Sequence, residues 1–175
     1  MVDPVIALGL VLLLGWVLLD AGLGKLRDVA LTAAHIDDYR LLPDGAGAWL
    51  ARPLAVFEVA LAGLLLLPFA RVPALLCAAA IIGMYGVAIT VNLLRGRRDI
   101  DCGCGGAGQS QRLSVALPLR NAFLVAAALL AAASPGVPSH WSGWLFSLFC
   151  AAVVALLYAS VNGLLANQQQ LERLR

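Results

Sequence analysis

Charge is what this sequence has least of: 13% of its 175 residues are Asp, Glu, Lys or Arg, 62% are hydrophobic, and the mean hydropathy is +0.90. Ordinary soluble domains run near half apolar and a quarter charged, so that class is excluded and an integral membrane protein is expected. An excess of one sign of charge is missing too. The formal net charge is +2, and the arginines stand at the edges of apolar runs, so nucleic acid is not an expected partner. Residues 1–4 contain no Lys or Arg and no small-residue cleavage site follows the first apolar run, which therefore reads as a retained helix. Cys and His do not cluster tightly enough to complete an evident four-ligand metal site. Gly103, Gly105, Gly106 and Gly108 lack the preceding strand and the Lys-Ser/Thr pair that a phosphate-binding loop requires.

What is present is apolar sequence long enough to cross a bilayer, which needs about twenty residues per helix. Five runs qualify, at residues 5–24, 49–69, 72–94, 113–133 and 142–165. Between the first two, residues 27–42 place Val29, Ala33, Ile36 and Tyr39 three or four apart, the spacing of a short amphipathic helix at the membrane interface. The expected fold is thus all-α: a single membrane domain, a bundle of four to five transmembrane helices with one short interfacial helix. With five spans, eleven of the twelve Lys and Arg fall on one side and only Arg71 on the other. The positive-inside rule then puts the amino terminus outside and the loop at 95–112 at the cytoplasmic face.

That loop carries the densest chemistry, in Asp99-Ile100-Asp101-Cys102-Gly103-Cys104-Gly105-Gly106. A Cys-Gly-Cys disulfide closes only a small bent ring, and glycines supply the freedom that it needs; such a bridge is more easily reduced than a relaxed structural one. Arg97 and Arg98 favour a thiolate there, while Asp99 and Asp101 oppose it. Helix direction places Lys25, Glu58, Arg120 and Asn121 at membrane depth in the half that holds this loop. Ionisable groups at that depth face a bundle interior or a wet cavity, which makes Glu58 and Arg120 candidate partners. Such a polar cluster could hold a small reducible cofactor such as a quinone between helices. Asn92, Tyr158 and Asn162 read as helix-packing contacts, and His35 and His140 as interfacial residues. Cys77 and Cys150 fall at comparable depth in the opposite half; they form either a second redox pair or ordinary small apolar packing.

The succession Gly24-Lys25-Leu26-Arg27-Asp28, Tyr39-Arg40-Leu41-Leu42-Pro43, Glu58, Asp101-Cys102-Gly103-Cys104-Gly105 and Leu119-Arg120-Asn121 resembles the MauE-type methylamine-utilisation membrane proteins, within the broader DoxX-like group. The resemblance covers roughly residues 8–130, and its specific part is the cysteine loop with the downstream Arg-Asn. It departs from that pattern at Gly105, where an aromatic residue is usual. It implies a multi-pass inner-membrane protein that helps to form or maintain disulfides in exported proteins with a thioredoxin-like partner. Cys102 and Cys104 would cycle between dithiol and disulfide, one as attacking and one as resolving thiol, with Asp101, Gly103, Gly105, Glu58, Arg120, Asn121 and Lys25 shaping the site. Two other classes stand beside this one: soft-metal handling through the two thiolates, and a non-catalytic membrane assembly subunit.

Overall fold

The computed structural model describes residues 3–103, 112–134, 136 and 138–173, with side chains described as far as Leu164 and again at Asn167. Among the described residues six helices follow one another: α1 (Pro4–Arg27), α2 (Val29–Asp38), α3 (Ala46–Leu64), α4 (Arg71–Leu94), α5 (Ala116–Ala132) and α6 (Trp141–Arg173). The chain is an all-α membrane protein. Helices α1, α3, α4 and the Trp141–Leu164 part of α6 are long and apolar enough to cross a membrane. Helix α5, with 17 residues, rises about 26 Å, a little short of a hydrocarbon core of about 30 Å.

Local chemistry sets the boundaries. The Asp3 side chain accepts from the Val5 amide at 2.8 Å and Pro4 takes the first helical position, where a missing N–H costs nothing. Asp28 breaks the chain between α1 and α2 with φ −138° and ψ 81°, and its carboxylate accepts from the Leu31 amide at 2.9 Å to start α2. The interfacial helix is therefore shorter than residues 27–42. Its neighbour α3 starts earlier than residue 49, because Asp37 accepts from the Gly47 amide at 2.8 Å and so satisfies a donor at the new N-terminus. Pro53 consequently lies inside α3 rather than in its first turn, and the Trp49 carbonyl loses its helical donor.

Helix α1 is the hub, in contact with all five others, whereas among the described residues α6 runs alongside α1 alone and reaches α5 only through side chains. The main core joins Val11, Leu14 and Leu18 of α1 to Leu61 of α3, Leu75 and Ile82 of α4, and Leu124 of α5. Small residues, Ala74, Ala78, Ala128 and Ala131, line the α4–α5 seam and let the two backbones approach. A second, smaller cluster of Ile89, Cys102, Leu113 and Leu117 seals the end where the cysteine loop lies. Among the described residues there is no strand; a single antiparallel bridge, Asp101 with Arg112, closes the base of that loop. The α4–α5 pair is thus a hairpin whose connection folds back over its own end.

Candidate functional site

The site begins with a close approach of α1 and α3. A Cβ on Gly22 would lie 2.8 Å from Val59 Cγ2 and 3.0 Å from the Ala55 carbonyl, so only glycine lets these backbones meet. Three residues further on, the same face of α1 presents Lys25 directly to Glu58 of α3. Lys25 Nζ donates to Glu58 Oε1 at 2.7 Å and to Oε2 at 2.6 Å. Tyr85 Oη of α4 donates to the same carboxylate, and the ammonium sits 5.0 Å from the centre of the Tyr85 ring. Glu58 is fully buried and Lys25 is 8% exposed. Burial of two charges is tolerated because each is satisfied by the other and the third group adds a hydrogen bond and a π face.

This arrangement corrects the pairing expected from depth. Glu58 is matched by Lys25, and Arg120 lies elsewhere: its Nη1 donates to Asn162 Oδ1 of α6 at 3.2 Å, its Nη2 to Asn121 Oδ1 at 3.4 Å, and its guanidinium lies 5.7 Å from the Tyr158 ring centre. Depth was readable, but the direction in which each side chain leaves its helix depends on which helices are neighbours. Asn121 is buried and lines a groove between α4 and α5. Neither Arg120 nor Asn121 is among the residues that line the cavity beside Cys102.

That cavity, under the cysteine loop, has a volume of about 460 Å³. Lys25 and Tyr85 form part of its wall, Thr32, His35, Ile36 and Tyr39 the α2 side, Leu50 and Leu54 the α3 side, and Cys102 with Gly103 the loop side. The cavity is predominantly apolar, with a few polar groups converging on it, the usual make-up of a small-molecule site. Cys102 is 5% exposed and its carbonyl accepts from Tyr39 Oη at 3.0 Å. Gly103 turns the chain with φ +64°, and a Cβ there would stand 2.9 Å from His35 Nδ1, so glycine is required both for the turn and for the contact. The freedom that glycine gives the chain here is used to fold Cys102 inward, away from solvent.

The charges around the loop are largely committed to structure. Arg97 donates to the Asp38 carbonyl at 2.8 Å, the Tyr39 carbonyl at 3.2 Å and Asn92 Oδ1 at 3.0 Å, tying the end of α2 to the end of α4. Arg112 pairs with Asp99 at 3.2 Å, and the Leu113 amide donates to the Ile100 carbonyl at 3.2 Å. Half-buried Asp101 takes part in the bridge at the loop base. Cys104 and Gly105 lie outside the described residues. Among the described residues no group of three or more His, Cys, Asp or Glu comes together to hold a metal ion.

Cys77 and Cys150 are not brought together. Cys77 is exposed on α4, Cys150 is half-buried on α6, and among the described residues no Cα of one helix comes within 8 Å of a Cα of the other. A disulfide needs Cα atoms within about 7 Å, so equal depth does not make a pair. Sequence reasoning missed His35, Tyr39 and Tyr85. For the first two a signal existed: Thr32, His35, Ile36 and Tyr39 recur at helical spacing and form one face of α2.

The profile of the methylamine utilisation protein MauE family matches residues 3–134. A methylamine utilization protein MauE of Paracoccus denitrificans is 37% identical over 165 residues, covering 93% of this chain and 88% of that protein. Its namesake from Paracoccus versutus is 40% identical over 147 residues, covering 81% of this chain and 77% of the other. That of Methylorubrum extorquens is 34% identical over 172 residues, covering 95% and 90%. No solved structure matches the chain significantly. With a profile match running from α1 to the end of α5 and relatives alike over most of their length, the chain belongs to the MauE family of multi-pass membrane proteins.

Proposed function

We propose that the chain is a thiol–disulfide redox protein of the inner membrane, serving exported proteins of methylamine utilisation through Cys102 and Cys104 and a thioredoxin-like partner. The observation that carries this reading is the position of Cys102, turned inward on a glycine and set in the wall of a cavity whose lining also includes Lys25 and Tyr85, the two partners of buried Glu58. A structural cysteine needs no such cavity. Because a thiolate attacks a disulfide through a mixed intermediate, the buried Cys102 suits the resolving role, and Cys104 the encounter with the partner.

The test is thiol trapping of the purified protein across a redox titration, with metal analysis on the same sample. A reversible two-electron transition that disappears in Cys102→Ser is the expected result. Its absence overturns the reading, and stoichiometric bound metal without it would favour soft-ion handling instead.

The distribution of eleven basic residues to one supports an amino terminus outside and the cysteine loop in the cytoplasm. Exported clients then require the reducing equivalents to cross the bilayer or to leave through it. Strong labelling of Cys102 or Cys104 by an impermeant thiol reagent added to intact cells would reverse that orientation.

A further inference from the structure

The cavity beneath the loop holds more than the cysteine chemistry uses. Dithiol–disulfide exchange with a protein needs an accessible sulfur; it does not need about 460 Å³ of mostly apolar space, lined on the side remote from the loop by a buried ammonium and a phenol. Part of the wall is made by Leu41, Leu42 and Leu50, which are 40%, 49% and 42% exposed, so the cavity is bordered by residues that also meet the surroundings of the bundle. A ligand entering there comes from the lipid. Of the polar groups in that otherwise hydrocarbon wall, the Tyr85 and Tyr39 hydroxyls already donate to Glu58 and to the Cys102 carbonyl, so the donors toward a ligand are the Lys25 ammonium, which has a third N–H, and the His35 ring. The counter-charge for Lys25 is already provided by Glu58, so a second anion is not called for. A neutral, flat, hydrogen-bond-accepting molecule is.

We infer that this cavity, between Cys102 on one side and Lys25 and Tyr85 on another, is a binding site for a lipid-soluble quinone that exchanges electrons with the Cys102–Cys104 pair. The inference rests on the proposed redox role and names its co-substrate. In the oxidising direction the two thiols lose two electrons and two protons and join in an S–S bond; the quinone gains both electrons and both protons and leaves as quinol. His35, against Gly103, and Tyr85 stand where protons would pass, and the Lys25 ammonium favours negative charge developing on the ring oxygen. The quinol carries the equivalents away within the bilayer, so no second dithiol across the membrane is needed.

The experiment uses the full chain in nanodiscs with decylubiquinone as probe. Binding is read by equilibrium dialysis, and reduction by ultraviolet absorbance after the protein is reduced and freed of reductant. Wild-type protein should bind about one equivalent saturably, and decanol, which has the tail without the ring, should not displace it. Leu54→Trp and Met84→Trp fill the cavity from two helices and should each weaken binding at least tenfold. Leu129→Trp, in the α4–α5 groove, should leave binding unchanged; equal melting temperatures would show that all three variants fold. Cys102→Ser should bind normally but fail to reduce the probe. Absent saturable binding, equal displacement by decanol, or binding indifferent to both tryptophans overturns the site, even if the thiols cycle in the redox titration. Normal binding without thiol-dependent reduction overturns the electron step and, with a failed titration, the redox reading beneath it.

Discussion

Two basic side chains sit at membrane depth in this molecule, and their surroundings could hardly differ more. Lys25 meets a full counter-charge in Glu58, reinforced by Tyr85, in a wall of the cavity that Cys102 shares. Arg120 meets no carboxylate among the described residues; it is held by two amide oxygens and the face of Tyr158. The delocalised guanidinium is more weakly hydrated than an ammonium and can be satisfied by dipoles and rings, whereas a compact ammonium in the same medium needs an anion. The first arrangement fixes three helices around a pocket. The second fastens α6 to the rest of the bundle.

That contrast can be broken in graded steps, each read from reversible unfolding in detergent. Glu58→Gln leaves Lys25 buried without an anion and should cost about 3–5 kcal/mol, with most of it regained when Lys25→Met is added. Strictly additive losses would mean that the pair is not a unit. Tyr85→Phe removes one hydrogen bond to an ionised acceptor and should cost about 1.5–3 kcal/mol while leaving the ion pair in place. A loss as large as that of Glu58→Gln would make the phenol, rather than the ammonium, the principal partner. Arg120→Leu removes a charge that has no buried counter-ion, so about 1 kcal/mol is expected, and Asn162→Ala should remove much of the same increment. A cost for Arg120→Leu above that of Glu58→Gln would invert the comparison. Last, Cys77→Ala and Cys150→Ala together should change neither stability beyond about 0.5 kcal/mol nor the redox transition of the loop, because among the described residues the two lie on helices with no Cα atoms within 8 Å of each other.

The residues that were legible in sequence share a property: their role follows from position along the chain. Apolar runs long enough for a bilayer identified the spanning helices, Lys25 and Glu58 were picked out because ionisable groups at membrane depth are costly, and Cys102 because it belongs to a Cys-Gly-Cys unit in a polar loop. Pairing was not legible, since it depends on the angular direction of each side chain and on helix adjacency. Glu58 was assigned to Arg120 because the two share a depth; Gly22, which admits α3 and so aims Lys25 at Glu58, says nothing of this until the neighbour is known. The pairing alternative for Cys77 and Cys150 rested on shared depth in the same way, and helix adjacency leaves the packing alternative. His35 was discounted as interfacial, and it is, but the interface there is the roof of a cavity and not only open water.

The lopsided attachment of α6 bears on how the molecule is made. This helix buries 11% of its membrane-length window, against 44% for α1, and its hydroxyl anchor runs from Ser147 Oγ to the Val5 carbonyl at 2.8 Å, across 142 positions of sequence. The face of α1 that receives it must therefore stay open in the bilayer through synthesis of everything between. During that interval α1 through α5 can already enclose the cavity beside Cys102, none of whose lining comes from the last helix.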